Sequence, residues 1–236
     1  MKNLILVFVA ILFFGCSADD NGPENQSNPQ SLILSKITEG TQVTSFTYEN
    51  GLMSKITTTK PSQNTDIREY TYENNKIKKI YSYELTPIGA EITRSTIIYK
   101  YTGNKITSAT NTENGVVYSD LYTYTNDLLT NRKEFFSNGS LNTSYDYEYY
   151  SDGNLKKISS SSGTEITNYN TYDSKNNFLK LIFTDELEMR HNSPKNNVLT
   201  SDNYNFEYEY NSSNYPIKIT AKNGSNIVYV RNLEYL

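Results

Sequence analysis

An all-β fold, built as a long antiparallel meander of repeated hairpins, is what this sequence predicts, and three observations carry that reading. The composition is that of a sheet: 22 Tyr, no Trp, and Thr, Ser and Asn in place of Ala. Aromatic and β-branched side chains suit a pleated, half-buried surface. A unit of aromatic-x-Tyr, polar turn, then apolar-x-x-apolar recurs seven times. The turns are rich in Asn and Gly, which tolerate the positive φ of tight hairpins.

The first segment is an address. Lys2 precedes an apolar run from Leu4 to Phe14 that closes on Gly15-Cys16, the charged, apolar and small-residue pattern of an export signal. The run is roughly half the ~20 residues needed to cross a bilayer as a helix. Residues 1–15 are therefore expected to be removed. Residues 16–31 follow, with two prolines and no large apolar side chain after Cys16; such a stretch has nothing to bury and reads as a tether. Cys16 is the only cysteine, so no disulfide staples the remainder.

Of 22 Lys and Arg against 26 Asp and Glu, Lys2 leaves with the signal, and the mature chain carries a formal charge of −5. Its lysines are scattered among acids rather than gathered into a basic stripe, which excludes nucleic acid as a partner. Residues 32–236 suffice for one domain with its own core.

The repeat units run in order. They are Phe46-Thr-Tyr48 with Met53-x-x-Ile56; Tyr70-Thr-Tyr72 with Ile77-x-x-Ile80; Tyr99-Lys-Tyr101 with Ile106-x-x-Ala109; and Tyr122-Thr-Tyr124 with Leu128. Then come Tyr147-Glu-Tyr149 with Leu155-x-x-Ile158; a degenerate Tyr172 with Leu179-x-x-Ile182; and Tyr208-Glu-Tyr210 with Ile217-x-Ile219. The second aromatics are separated by 24, 29, 23, 25, 23 and 38 residues. Within aromatic-x-Tyr the spacing of two puts both rings on one face of a strand. The apolar pair is three apart, so both members share that face only if a β-bulge intervenes, and a bulge is expected there in several units. Joined hairpins give about fourteen strands, an open sheet wide enough that it must curl, split or close. A strongly curled sheet or incomplete barrel is the expected shape; a closed barrel and a two-layer sandwich are the alternatives.

The long interval from Thr184 to Asn203 reads as an insertion between the sixth and seventh hairpins. Glu186-Leu187-Glu188-Met189-Arg190 are helix formers, stopped by Asn192-Ser193-Pro194, so a short helix or ordered loop is expected to plug one end of the sheet. Asn196 and Asn197 would then stand on the rim of any binding site.

Chemistry is scarce. His191 is the only histidine, and no second imidazole or thiol completes a metal site with it. No nucleophile elbow, phosphate loop or dinucleotide fingerprint is present. No catalytic residue, metal or cofactor is assigned. The regular Tyr-x-Tyr pairs read as the scaffold's own cross-strand ladder.

Two resemblances add to this. Phe14-Gly15-Cys16 resembles the lipobox of bacterial lipoproteins, which implies diacylglycerol on Cys16, near-permanent membrane attachment and, with Ser17 rather than Asp next, sorting to the outer membrane. Asp19-Asp20 resembles the signal that sends such lipoproteins to the cell surface in Bacteroidetes. Tyr149-Tyr-Ser-Asp-Gly-Asn-Leu155 and Tyr172-Asp173-Ser-Lys-Asn-Asn-Phe178 resemble the YD repeats of the RHS family. The late passage Tyr172-Asp173-Ser-Lys175, Asn196-Asn197-Val198 and Tyr215-Pro216-Ile217-Lys218-Ile219 is similar to that of Bacteroidetes lipoproteins with YD-like repeats. From this passage come the candidate binding residues Tyr172, Asp173, Asn196, Asn197 and Tyr215. The implied function is a lipid-anchored envelope binding or scaffold module for a glycan, peptide or envelope protein. The alternative is an extracellular polysaccharide hydrolase or lyase.

Overall fold

The computed structural model describes residues 32–161, 163, 166–182 and 194–236. The signal, Cys16, the tether, His191 and the Glu186–Arg190 run lie outside them.

Seven hairpins are found, six of them where the repeats predict both strands: β2 (Gln42–Glu49) with β3 (Leu52–Thr59), β4 (Thr65–Glu73) with β5 (Lys76–Leu85), β6 (Glu91–Thr102) with β7 (Lys105–Glu113), and β8 (Val116–Thr125) with β9 (Leu128–Phe136). The rest are β10 (Leu141–Tyr149) with β11 (Leu155–Ser160), β12 (Ile166–Tyr172) with β13 (Val198–Ser201), and β14 (Tyr204–Tyr210) with β15 (Pro216–Asn223). Two further strands, β1 (Leu34–Glu39) and β16 (Asn226–Tyr235), pair with each other. The sheet is thus a closed, sixteen-stranded antiparallel barrel, not the incomplete barrel or curled sheet expected. Closure leaves no edge strand to pair outside the molecule.

The reason for closure is an eighth repeat that the chain termini cut in two. Leu233-Glu234-Tyr235 on β16 and Leu34-x-x-Ile37 on β1 stand in the register of every other unit: Tyr235 opposite Leu34 and Leu233 opposite Ile37. In the same way Tyr48 faces Met53 and Phe46 faces Ile56, Tyr72 faces Ile77 and Tyr70 faces Ile80, and Tyr149 faces Leu155 and Tyr147 faces Ile158. Each pairing shifts by one residue between its two contacts. This is the expected bulge, and it turns both members of the apolar pair inward: Met53, Ile77, Ile80, Leu155 and Ile158 are all buried. Two pairs differ from the sequence reading. Leu129 rather than Leu128 faces Tyr124, and Pro216 rather than Ile217 faces Tyr210.

The second tyrosine of a unit also ties one hairpin to the one before. Tyr48 donates to the Leu34 carbonyl at 2.9 Å, Tyr72 to Met53 at 2.7 Å, Tyr101 to Ile77 at 2.8 Å, Tyr149 to Leu129 at 2.9 Å and Tyr235 to Pro216 at 2.6 Å. Tyr172 donates to Leu155 in the same manner. A phenol is long and rigid enough to span a neighbouring strand, and each such bond satisfies a polar tip that burial would otherwise strand. This is why the repeat specifies Tyr rather than Phe at this position. The turns behind these rings are as expected: Asn50-Gly51 adopts φ of 52° and 78°, the left-handed pair of a two-residue hairpin loop.

The sixth unit is the exception. Leu179 and Ile182 do not lie on a strand; they belong to and follow a 3-10 helix, Phe178–Leu181, within an excursion between β12 and β13. The insertion therefore opens inside the sixth hairpin, not between the sixth and seventh, and Val198–Ser201 supplies the returning strand. The plug expected of Leu187 and Met189 lies outside the described residues, and it is Phe178, Leu179 and Ile182 that pack against the barrel core.

Candidate functional site

The interior divides into two halves along the strands. At the end carrying Asn50-Gly51, Asn74-Asn75 and the strand termini Leu34 and Tyr235, it is filled: Leu34, Ile77, Tyr99, Ile106 and Leu129 are at most 1% exposed. Toward the opposite end, where the β1–β2 and β7–β8 turns lie, the inward positions change character. Above Tyr70 on β4 stand Arg68 and Asp66, opposite Ser82 and Glu84 on β5. Above Ile97 on β6 stands Ser95, opposite Glu113.

These side chains form the wall of a cup of about 490 Å³. Thr44, Thr58, Ile67, Tyr83 and Arg231 complete the wall, and Ile37, Phe46, Ile56, Phe178, Leu179 and Ile182 make an apolar floor. The 3-10 helix thus plugs one end of the barrel and is the base of a site open at the other. Arg231 Nε donates to Glu39 at 2.7 Å, and its guanidinium lies 4.3 Å from the Tyr229 ring centre. Asn64 donates to Glu84 at 3.0 Å. Among the described residues Asp66, Arg68 and Glu113 make no ion pair, so the wall offers carboxylates and one guanidinium to a ligand. Sequence reasoning missed this cup. Its signal was present as the change from Ile and Tyr to Asp, Arg and Glu at alternate positions of β4 and β5.

A second polar cluster replaces apolar core in the fourth unit. Arg132 stands opposite Tyr122, the register that Ile56, Ile80 and Ile158 fill elsewhere. Its Nε pairs with Asp120 at 3.0 Å and its Nη2 with Glu134 at 2.9 Å. Tyr122 donates to Asp120 at 3.3 Å, and the guanidinium lies 5.3 Å from the Tyr145 ring centre. Asp120 is 3% exposed. Burial pushes its carboxyl above the usual range, against the pull of Arg132.

The structure brings Tyr172, Asp173, Asn196 and Asn197 together as a strap across the excursion. Asp173 accepts from the amides of Lys175 at 3.0 Å and Asn197 at 3.1 Å, from Asn197 Nδ2 at 3.1 Å and from the Tyr210 hydroxyl. Asn196 donates its amide to Asn154 at 2.9 Å and its Nδ2 to the Lys175 carbonyl at 2.9 Å. Tyr215 sits apart from them in the β14–β15 turn, its ring 6.2 Å from that of Tyr235. These polar atoms are occupied by the chain itself. Among the described residues no His, Cys, Asp and Glu side chains gather as a metal site.

The barrel's outer face carries lysine–glutamate pairs. Lys36 pairs with Glu234 at 2.7 Å, Lys55 with Glu69 at 3.3 Å and Lys218 with Glu209 at 2.7 Å. Such exposed pairs contribute only about 0–1 kcal/mol each.

No family model and no curated protein sequence matches the chain. Among solved structures it is similar to a porin-like protein from Bacteroides uniformis, with a TM-score of 0.51 and 14% identity over 87% of this chain and 95% of the other. A porin-like protein from Bacteroides vulgatus aligns with a TM-score of 0.39 and 14% identity over 86% and 99% of the two chains. At this identity the Bacteroides uniformis likeness is one of fold.

Proposed function

We propose that the chain is a non-enzymatic binding barrel of the bacterial envelope, tethered at the outer membrane through lipid on Cys16, that holds a small amphiphilic ligand in its cup. The observation that carries this reading is the division of the interior: one barrel, filled with Tyr, Leu and Ile at one end, keeps a cup with charged walls and an apolar floor at the other. Its volume of about 490 Å³ lies within the ~300–1,000 Å³ of small-ligand sites. The fold it shares with a porin-like Bacteroides protein supports the envelope address. The barrel itself faces water. A membrane-spanning barrel turns an apolar band outward and lines its lumen with polar groups, whereas here lysine–glutamate pairs are outside and the apolar core inside.

The lining defines the ligand class. An apolar group rests on Phe178, Leu179 and Ile182, an ammonium meets Asp66, Glu84 and Glu113, and a carboxylate meets Arg68. A short apolar peptide with free termini has all three. Calorimetric titration with leucine- and phenylalanine-containing tripeptides, free and N-acetylated, tests this. Binding is expected for the free peptides, weakened about tenfold by acetylation and about tenfold by Asp66→Asn with Glu113→Gln, the loss of a partly exposed charge contact. Absence of binding across the panel, or equal binding by the double variant, would refute it.

The tether has its own test. Cys16→Ser is expected to abolish incorporation of labelled fatty acid and to release the protein from the membrane fraction. A lipid-labelled, membrane-bound Cys16→Ser protein would contradict the anchor.

A further inference from the structure

Lysines that are scattered along the sequence are gathered by the fold. Lys76, Lys78 and Lys79 open β5, Lys100 lies near the end of β6 and Lys105 opens β7. Five ammonium groups thus surround two neighbouring hairpin tips, Asn74-Asn75 and Gly103-Asn104, at the filled end of the barrel. Two carboxylates answer them: Glu73 pairs with Lys78 at 3.0 Å, and Asp127 pairs with Lys105. Glu69, the next outward acid along β4, pairs with Lys55 at 3.3 Å. Among the described residues Lys76, Lys79 and Lys100 have no ion pair. Lys79 stands between Thr71 and Ile98, and Lys100 beside Ser108.

Lys76 reaches from one tip to the other, donating to the Gly103 carbonyl at 2.6 Å, with its ammonium 5.6 Å from the Tyr101 ring centre. Between the tips lies a cleft of about 400 Å³ that Lys76, Lys78 and Lys100 line together with Glu73. The chain enters the barrel at this same end: the Ile33 amide donates to the Leu236 carbonyl at 3.2 Å, and the Leu236 amide to that of Ile33 at 2.8 Å. The segment that carries Cys16 therefore joins the barrel here. Around the same strands the open end has the opposite balance, with Asp66, Glu84 and Glu113 against Arg68 and Lys60.

We propose that the lysine-rich tips of β4–β7 rest on the phosphate headgroups of the membrane that holds the Cys16 lipid, so that the barrel stands filled end down and its cup opens away from the bilayer. This orientation rests on the lipid anchor proposed above. Residues 16–31 can span at most about 55 Å, enough for either end of the barrel to face the membrane, so charge decides between them. A negative membrane surface attracts a lysine cluster held within a Debye length of it. The same field repels the carboxylates around the cup, and both effects turn the barrel the same way. The tips carry Asn and Gly rather than apolar side chains, which keeps the contact at headgroup depth.

Amine footprinting of the mature lipidated chain tests this, on vesicles of phosphatidylcholine alone and of phosphatidylcholine mixed with phosphatidylglycerol, with acetylation of each lysine read by mass spectrometry. On the anionic vesicles at low salt Lys76, Lys79 and Lys100 are expected to react about threefold or more slowly than on the neutral ones, and high salt should remove the difference. Lys60 and Lys133, toward the open end, should react alike on both. Lys79 and Lys100 are exposed, so Lys79→Gln with Lys100→Gln leaves the fold intact and should weaken the protection of Lys76, Lys78 and Lys105. Equal reactivity on the two kinds of vesicle, or undiminished protection of Lys76 in the double variant, would overturn the proposal. So would protection of Lys60 and Lys133 instead, which would set the open end, where Ile88 and Ile227 are 91% and 61% exposed, against the membrane. Retention on the neutral vesicles reads the anchor separately: a chain that leaves them refutes the lipid on Cys16, whereas a retained chain that reacts alike on both refutes the orientation alone.

Discussion

Raising the pH from 10 to 12 is expected to unfold the barrel in one cooperative step, because the bonds that join its hairpins are made by phenols that must keep their protons. Burial pushes Tyr48, Tyr72 and Tyr147 up to about 12 from an ordinary value of 10.0. Burial raises Tyr149, Tyr172, Tyr208 and Tyr235 further still. A group whose pKa is higher folded than unfolded contributes its full stabilisation below the unfolded value and loses it as the pH climbs to the folded one, because the folded state then holds more protons. The vulnerable window therefore opens near pH 10. Each tenfold gain in proton affinity on folding is equivalent to about 1.36 kcal/mol. Discounted for partial exposure to about 1 kcal/mol each, these phenols together supply roughly 7 kcal/mol, on the scale of a whole domain's 5–15 kcal/mol. Phenolate absorbance and far-ultraviolet circular dichroism should change together along the titration. Phenols that ionise one by one around pH 10 with the sheet signal intact would contradict the scheme. Tyr48→Phe sharpens it: the variant loses about 1 kcal/mol at pH 7, where the Leu34 carbonyl gives up its donor, yet carries one phenol fewer into the alkaline transition.

The same tyrosines explain how far the sequence could be read. Aromatic-x-Tyr and the Asn-Gly turns are local signals, so six of the seven hairpins and their bulges were legible from spacing alone. Closure was not, because its evidence is split between the two ends of the domain: Leu34-x-x-Ile37 has no aromatic pair before it, and Leu233-Glu234-Tyr235 has no turn after it. Only the register across the termini makes them one unit. Leu179-x-x-Ile182 misled for the opposite reason, since its spacing of three fits a bulged strand and a 3-10 turn equally. The cup was legible only in part. Asp66, Arg68 and Glu84 alternate with Ile67, Tyr83 and Leu85, so alternation taken alone turns the charges outward, and only the register from Tyr70 and Ile80 places them on the inner face. Tyr172, Asp173, Asn196 and Asn197 were recognisable as a group, and the structure explains their association by the strap that holds the plug.

Arg132→Met is expected to destabilise the barrel by about 3–5 kcal/mol, whereas Arg132→Leu combined with Asp120→Leu should return to within about 1 kcal/mol of the parent. Removing one member of a buried pair leaves an uncompensated charge, while replacing both with apolar groups of similar size is often neutral. The chain supplies its own precedent for the second outcome. In the register where Arg132 faces Tyr122, Ile80 faces Tyr70, Ala109 faces Tyr99, Ile158 faces Tyr147 and Ile219 faces Tyr208. An apolar side chain at this position is thus compatible with the fold, and Arg132 is held there by Asp120 rather than by the repeat. Glu134 does not prevent the recovery, since its side chain is 23% exposed and also accepts from Asn142. The pH dependence distinguishes this from a packing defect. Burial already raises the Asp120 pKa above its ordinary 3.8, and without Arg132 it rises further. For a carboxyl raised in the folded state the destabilisation is present above the folded pKa and relieved as the pH falls through it. Urea unfolding at pH 7 and pH 5 should therefore show the gap between Arg132→Met and the parent narrowing on acidification. A gap that stays constant would assign the loss to the missing guanidinium's contacts with Tyr145, and a double leucine variant as unstable as the single would show that the ion pair itself holds β8 to β9.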